Sequence, residues 1–102
     1  MRQSLFLIVI FLSVLASCTK LTLYQFPHCP FCSRVRNFMK EQNVEFETVN
    51  VPMSRSDPIR LYIKEQSGVT TVPVLKVVHD DEREVWIGDS ANIIRHLEVG
   101  VL

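Results

Sequence analysis

The sequence predicts an α/β domain with element order β-α-β-α-β-β-α, a four-stranded mixed sheet covered by three helices. Three observations carry that prediction. From Lys20 onward, apolar residues recur alternately at strand and helix spacing. Proline and glycine stand where helices would start and stop. The last two strand patterns are separated only by a short polar turn.

The elements follow in order. "KLTLYQF" sets Leu21 and Leu23, then Tyr24 and Phe26, around polar positions, which suits a strand ending at Pro27. Pro30 is a favourable first helical residue, and Phe31, Val35 and Phe38, with Cys32 and Met39 beside them, recur at three- and four-residue steps. That helix is expected over 30–42, stopping at Asn43. "VEFETVNV" reads as a second strand. In "SRSDPIRLYIKEQSG", Asp57 caps a helix with Pro58 at its first position, Gly68 as its stop, and Ile59, Tyr62 and Ile63 as its apolar stripe. "VPVLKVVH", the turn "DDER" and "EVWIG" form a hairpin that places Trp86 on a buried face. Asp89 or Ser90 then caps a last helix whose Ile93, Ile94 and Leu97 share one side. Strands joined through a helix pair parallel and the hairpin pairs antiparallel, so the sheet is mixed.

Composition narrows the partners. Eleven basic and eleven acidic residues cancel, and no run of five like charges occurs, so nothing advertises a nucleic-acid groove or a polybasic membrane patch. At 102 residues there is room for one domain, expected to be monomeric. Small molecules and protein thiols are the partners that remain.

The N-terminus is a separate matter. Leu5 to Ala16 is continuously apolar after a lone Arg2, shorter than the roughly 20 residues of a spanning helix and suited to the core of an export signal. Leu15-Ala16-Ser17-Cys18 resembles a bacterial lipobox, which makes Cys18 a candidate for lipidation. Three readings stand side by side: an export signal, an uncleaved membrane anchor, or a misplaced start or buried strand extension. Residues 1–18 are set apart from the domain at 19–102 on this reading. The protein is then membrane-associated or exported if the segment functions, and cytoplasmic otherwise.

The chemistry concentrates in "FPHCPFCSRVR", residues 26–36. A cysteine attacks as thiolate, so a useful one needs its anion stabilised. At Cys29 the unpaired N–H groups and positive dipole end of the helix starting at Pro30 do this, and Cys32, one turn on, can donate its S–H. Cys29 is therefore expected to have a pKa well below that of a free thiol. Cys32 faces the sheet and is expected to be the less exposed, resolving sulfur. Two other readings are weaker. Zinc normally takes four ligands, yet His28, His79 and His96 lie in different elements and no second C-x-x-C exists, so no bound metal is expected. Two passive core cysteines would be poorly served by a proline at a strand-to-helix junction. His28, beside Cys29, either adds positive charge to the thiolate when protonated or is an exposed bystander.

Residues 20–99 resemble the glutaredoxins, within the thioredoxin-like fold, through "CPFC" at Cys29 to Cys32, "TVP" at Thr71 to Pro73 and "GDSANI" at Gly88 to Ile93. "LYQFPHCPFCSRVR" and "DSANII" are also similar to the N-terminal domain of glutathione transferases. The resemblance implies a thiol-disulfide oxidoreductase that uses glutathione as co-substrate and acts on protein disulfides or glutathionylated proteins. It implies a cis bond before Pro73, where only proline accepts cis at low cost, against the alternative of an ordinary strand-opening proline. It makes Thr71, Val72 and Pro73 contacts to glutathione, with the Val72 backbone pairing to the extended peptide. It also makes Asp89 and Ser90 ligands of the γ-glutamyl end, besides or instead of plain helix caps. Pro30, Phe31 and His28 support the cysteines, and Phe31 stands where tyrosine is common.

Two departures bear on substrate. Many glutaredoxins place lysine three positions before the first cysteine, and arginine, lysine or glutamine just before "TVP"; here these are Phe26 and Thr70. Two usual contacts to the glycine carboxylate of glutathione are missing, which leaves weak glutathione binding or a protein disulfide substrate as alternatives. Other functions of the same frame are a [2Fe–2S] module held by Cys29 and glutathione from two protomers, and a membrane-tethered thiol relay.

Overall fold

The structure is a computed structural model that describes residues 19–101. The expectations for the N-terminal segment, including Cys18, lie outside the described residues. Strands β1 (Lys20–Gln25), β2 (Glu47–Asn50), β3 (Val74–Val78) and β4 (Glu84–Gly88) form one sheet in the order β2-β1-β3-β4. Helices α1 (Pro30–Glu41), α2 (Pro58–Ser67) and α3 (Ser90–His96) connect and cover it, and α3 runs on into a π-helical turn, Leu97–Val101. β1 pairs parallel with β2, placing Thr22 opposite Glu47, and antiparallel with β3, placing Leu23 opposite Leu75. β3 and β4 are antiparallel, with Lys76 opposite Trp86.

Local signals in the chain explain the boundaries. Asp57 accepts the Ile59 N–H at 3.0 Å, Pro58 opens α2, and Gly68 ends it in the left-handed region at φ 81°, which a residue with a Cβ rarely adopts. Asp89 caps α3 by accepting the Asn92 N–H, which resolves the choice between Asp89 and Ser90 in favour of Asp89 as the cap. β2 is shorter than "VEFETVNV" suggests, because its pairing with β1 starts only at Glu47.

The sheet is buried on both sides. Between it and α1 and α3 lie Leu21, Leu23, Val35, Met39, Leu75, Val77, Ile93 and Leu97. On the α2 side lie Val51, Ile63 and Val74, with half-buried residues packed around them. Some positions expected in the core are more open. Phe31 is 60% exposed, because the buried stripe of α1 runs through Cys32, Val35 and Met39 and leaves Phe31 beside it. Tyr62 is exposed on α2, and Trp86 is half-buried against Tyr24 rather than enclosed.

Candidate functional site

β1 ends at Gln25, and the chain turns through Phe26, Pro27 and His28 before entering α1. The Cys29 N–H closes this turn on the Phe26 carbonyl at 3.4 Å. Cys29 is the N-cap of α1, with extended backbone (φ −90°, ψ 128°), and its carbonyl accepts the first helical bond from Ser33 at 2.9 Å. An N-cap side chain ordinarily supplies an oxygen to the first free N–H groups of the helix. Here the N-cap residue carries a sulfur, which lies at the helix start without making a cap hydrogen bond.

Its electrostatics follow. Burial works against the Cys29 anion, but the N–H groups of Cys32 and Phe31, the Cys32 thiol and the charge of Arg36 outweigh it, so the Cys29 thiol lies below its ordinary range. Cys32 is the opposite case. It is 0% exposed, and burial, reinforced by the neighbouring Cys29 sulfur, pushes it up to about 11 against the lowering effect of the Phe26 N–H, which reaches its Sγ at 3.5 Å. Both cysteines are free.

Beside the cysteine turn lies a cleft of about 310 Å³. Its walls include Phe26 and Phe31 from the turn, Thr71, Val72 and Pro73 from the loop before β3, and Asp89 and Ser90 at the start of α3. The Val72–Pro73 bond is cis. The fold therefore gathers Phe31, Thr71, Val72, Pro73, Asp89 and Ser90, all singled out by the sequence, around one hollow, with His28 and Pro30 exposed at the turn. Asp89 stands at φ 77°, a strained setting for a residue with a Cβ, held by its bond to the Asn92 N–H. A larger hollow of about 690 Å³, near Thr19 and Lys20, is walled by none of the site residues that the sequence singles out; neither cysteine lines either hollow. Among the described residues, no three of His, Cys, Asp and Glu gather as a metal site would require.

Two arginines of the cleft, Arg55 and Arg60, are not among the residues that sequence reasoning picks out. Arg60 is 7% exposed; its Nη1 donates to the carbonyls of Pro52 (2.7 Å) and Met53 (3.0 Å) and its Nη2 to that of Thr70 (2.9 Å). Its guanidinium carbon also lies 5.2 Å from the centre of the Phe26 ring. Arg60 thus ties the loop after β2 to the loop before the cis proline. A cation in the first turn of an amphipathic helix reads as solvent-facing, and its acceptors lie seven to ten residues away in irregular loops, so no sequence signal marks it.

A mixed four-stranded sheet, a cysteine capping the first helix and a cis proline at the adjoining cleft together define a protein of the thioredoxin-like class. Residues 21–82 match the glutaredoxin family model, and the chain belongs to that family. It is 33% identical over 84 residues to prostaglandin E synthase 2 of Mus musculus, covering 82% of this chain and 20% of that protein. The chain thus spans about a fifth of the length of this curated relative. Among solved structures it is similar to a trimeric glutathione transferase of Leishmania, TDR1 (TM-score 0.63, 31% identity, 76% of this chain and 17% of that one). It is also similar to glutaredoxin 2 of Salmonella typhimurium in complex with glutathione (TM-score 0.58, 25% identity, 78% of this chain and 33% of that one).

Proposed function

We propose that the domain is a dithiol thiol-disulfide oxidoreductase linked to glutathione. The observation that carries this reading is the inequality of the two sulfurs, one capping a helix with its thiol pKa lowered and the other enclosed and raised to about 11. The Cys29 thiolate attacks a sulfur of a substrate disulfide. One S–S bond breaks as another forms, and the substrate's other sulfur leaves as thiolate and takes a proton from solvent. The mixed disulfide on Cys29 is then resolved in one of two ways. Cys32, losing its proton as it attacks, closes the Cys29–Cys32 disulfide and expels the bound thiol, and two glutathiones then reduce that disulfide and leave as glutathione disulfide; alternatively, where the thiol held on Cys29 is glutathione, a second glutathione attacks its sulfur, frees the Cys29 thiolate and leaves as glutathione disulfide. The high pKa of Cys32 keeps it from competing as the first nucleophile.

The cleft suits an extended tripeptide. Val72, beside the cis proline, would offer backbone pairing, Asp89 and Ser90 at the start of α3 would meet the γ-glutamyl end, and exposed Arg55 would supply a cation where Phe26 and Thr70 do not; their shared place around the cleft supports this reading. Cys29→Ser should abolish glutathione-dependent reduction of a glutathionylated peptide. Cys32→Ser should retain that reaction and lose the reduction of intramolecular protein disulfides, as a coupled assay with glutathione reductase can follow. Retention of activity in Cys29→Ser with loss in Cys32→Ser would overturn the roles.

A further inference from the structure

On β1 the side chains at 21, 23 and 25 share one face, since successive residues of a strand point to opposite sides. Leu21 and Leu23 fill the core beneath α1 and α3, yet the third place, 5% exposed, is held by Gln25. An apolar residue there would need no partners. A buried amide is costly unless it is fully hydrogen-bonded, and this one has a partner at each end. Its Nε2 donates to Asn50 Oδ1 at 2.9 Å, at the end of β2, and its Oε1 accepts from Nη1 of Arg36. Arg36 in turn reaches back from the second turn of α1 and donates through Nη2 to the Pro27 carbonyl at 3.3 Å. The chain of contacts runs from the end of β2 to the peptide two residues before Cys29. None of these side chains lines the cleft beside the cysteines.

We propose that Arg36 is a positioning residue for Cys29: gripped by the buried Gln25 amide, its guanidinium holds the Pro27 carbonyl in the active-site turn and fixes one positive charge behind the two sulfurs. The inference rests on the reading of Cys29 as nucleophile. The geometry gives the grip two points, one side-chain oxygen and one backbone oxygen, which a planar guanidinium can meet together and a lysine ammonium meets less well. The lowering that Arg36 exerts on both thiols agrees with its place. Cys32 on α1 is the other titratable group that acts on Cys29, and His28 adjoins it in the turn; Asp89, Arg55 and Arg60 line the cleft, and none of the three contributes to the lowering. A thiolate beside a fixed cation is favoured over the thiol, so removing the cation raises the pH at which Cys29 reacts.

The test is alkylation of Cys29 by iodoacetamide in the reduced full chain across pH, resolved by peptide mass spectrometry so that each cysteine is read separately. Arg36→Met should move the midpoint up by roughly half to one pH unit, slowing alkylation below it about three- to tenfold. Gln25→Glu keeps an acceptor for Arg36 while neutralising its charge, and should move the midpoint the same way. Arg36→Lys restores the charge without the two-point grip and should recover part of the shift. Should Arg36→Met fail to fold, Gln25→Glu decides; should both fail, the partial shift in Arg36→Lys does. A folded variant whose Cys29 midpoint stays at the wild-type value overturns the assignment. A wild-type Cys29 that reacts with the midpoint of an ordinary thiol instead overturns the nucleophile reading itself.

Discussion

The two faces of the sheet are built differently. Against α1 and α3, eight side chains form a continuous buried cluster, from Leu21 to Leu97. Against α2 the buried apolar cluster among the described residues is Val51, Ile63 and Val74, and Tyr24, Phe26, Ile59, Val72 and Trp86 around them are partly open. The cleft beside the cysteines opens at the end of this second face, between Phe26 and Val72. The difference teaches where the molecule holds its stability and where it keeps room for a ligand. The closed face holds the larger set of fully buried apolar side chains, while the open one combines a small buried cluster with part-buried aromatic residues and the loop contacts of Arg60. Cys32 is enclosed on the buried side of α1 with Val35 and Met39, while Cys29 is half-buried at the start of the helix, so the unequal sulfurs follow from unequal burial.

The largest test of this contrast is truncation on either side. Leu75 is fully buried on the closed face, and Leu75→Ala should cost about 3–5 kcal/mol in urea unfolding, the range for a leucine whose cavity cannot collapse. Ile59 is only partly buried under the open face, and Ile59→Ala should cost about 1 kcal/mol or less. Equal costs would break the comparison.

Arg60 comes next. Arg60→Met keeps an unbranched chain of similar length but leaves three carbonyls without their donor, at a cost of about 1–3 kcal/mol. Since Arg60 joins the loop after β2 to the loop before Pro73, the same change should raise the KM for glutathione more than it lowers kcat. The alkylation midpoint of Cys29 should stay in place, because the turn that holds it is braced from Gln25 and Arg36 instead. A shifted midpoint in Arg60→Met would mean that the two braces act as one.

What can be read from the sequence divides along the same line. The element order, the mixed sheet and the cap of α2 are legible because they rest on local patterns: Asp57-Pro58, Gly68, and Pro30 after Cys29. The cysteines, Pro73 and Asp89-Ser90 are legible as motifs, and the fold places the last three at the cleft. Helical spacing groups Phe31 with Val35 and Phe38, but the buried stripe runs through Cys32, Val35 and Met39, and Phe31 is left at the cleft. Alternation makes Gln25 a polar position between aromatic ones, yet it shares the face of Leu21 and Leu23. Both faces of β1 are covered, so alternation alone does not say which polar residue is enclosed. Gln25, Arg36 and Arg60 draw their meaning from partners on other elements, and no spacing rule reaches those.

The smallest effect belongs to the outer rim of the open face. Trp86 stacks on Tyr24 with ring centres 5.6 Å apart, meets Tyr62 edge-on at 5.8 Å, and lies 5.4 Å beneath the Lys76 ammonium. Glu84 ties this group together, accepting the Trp86 indole N–H at 3.2 Å and pairing with Lys76 at 3.8 Å. The contacts are numerous, but they sit at the surface, where solvent screens the charges and each long side chain loses freedom when held. Glu84→Gln removes the charge and keeps an acceptor for the indole, so it should change stability by no more than about 0.5 kcal/mol, and that change should vanish in high salt. Tryptophan fluorescence offers a second check, since an acceptor remains and the emission maximum should hold. A loss near that of Leu75→Ala, or one that salt leaves untouched, would show that the rim is part of the core and that the open face is closed after all.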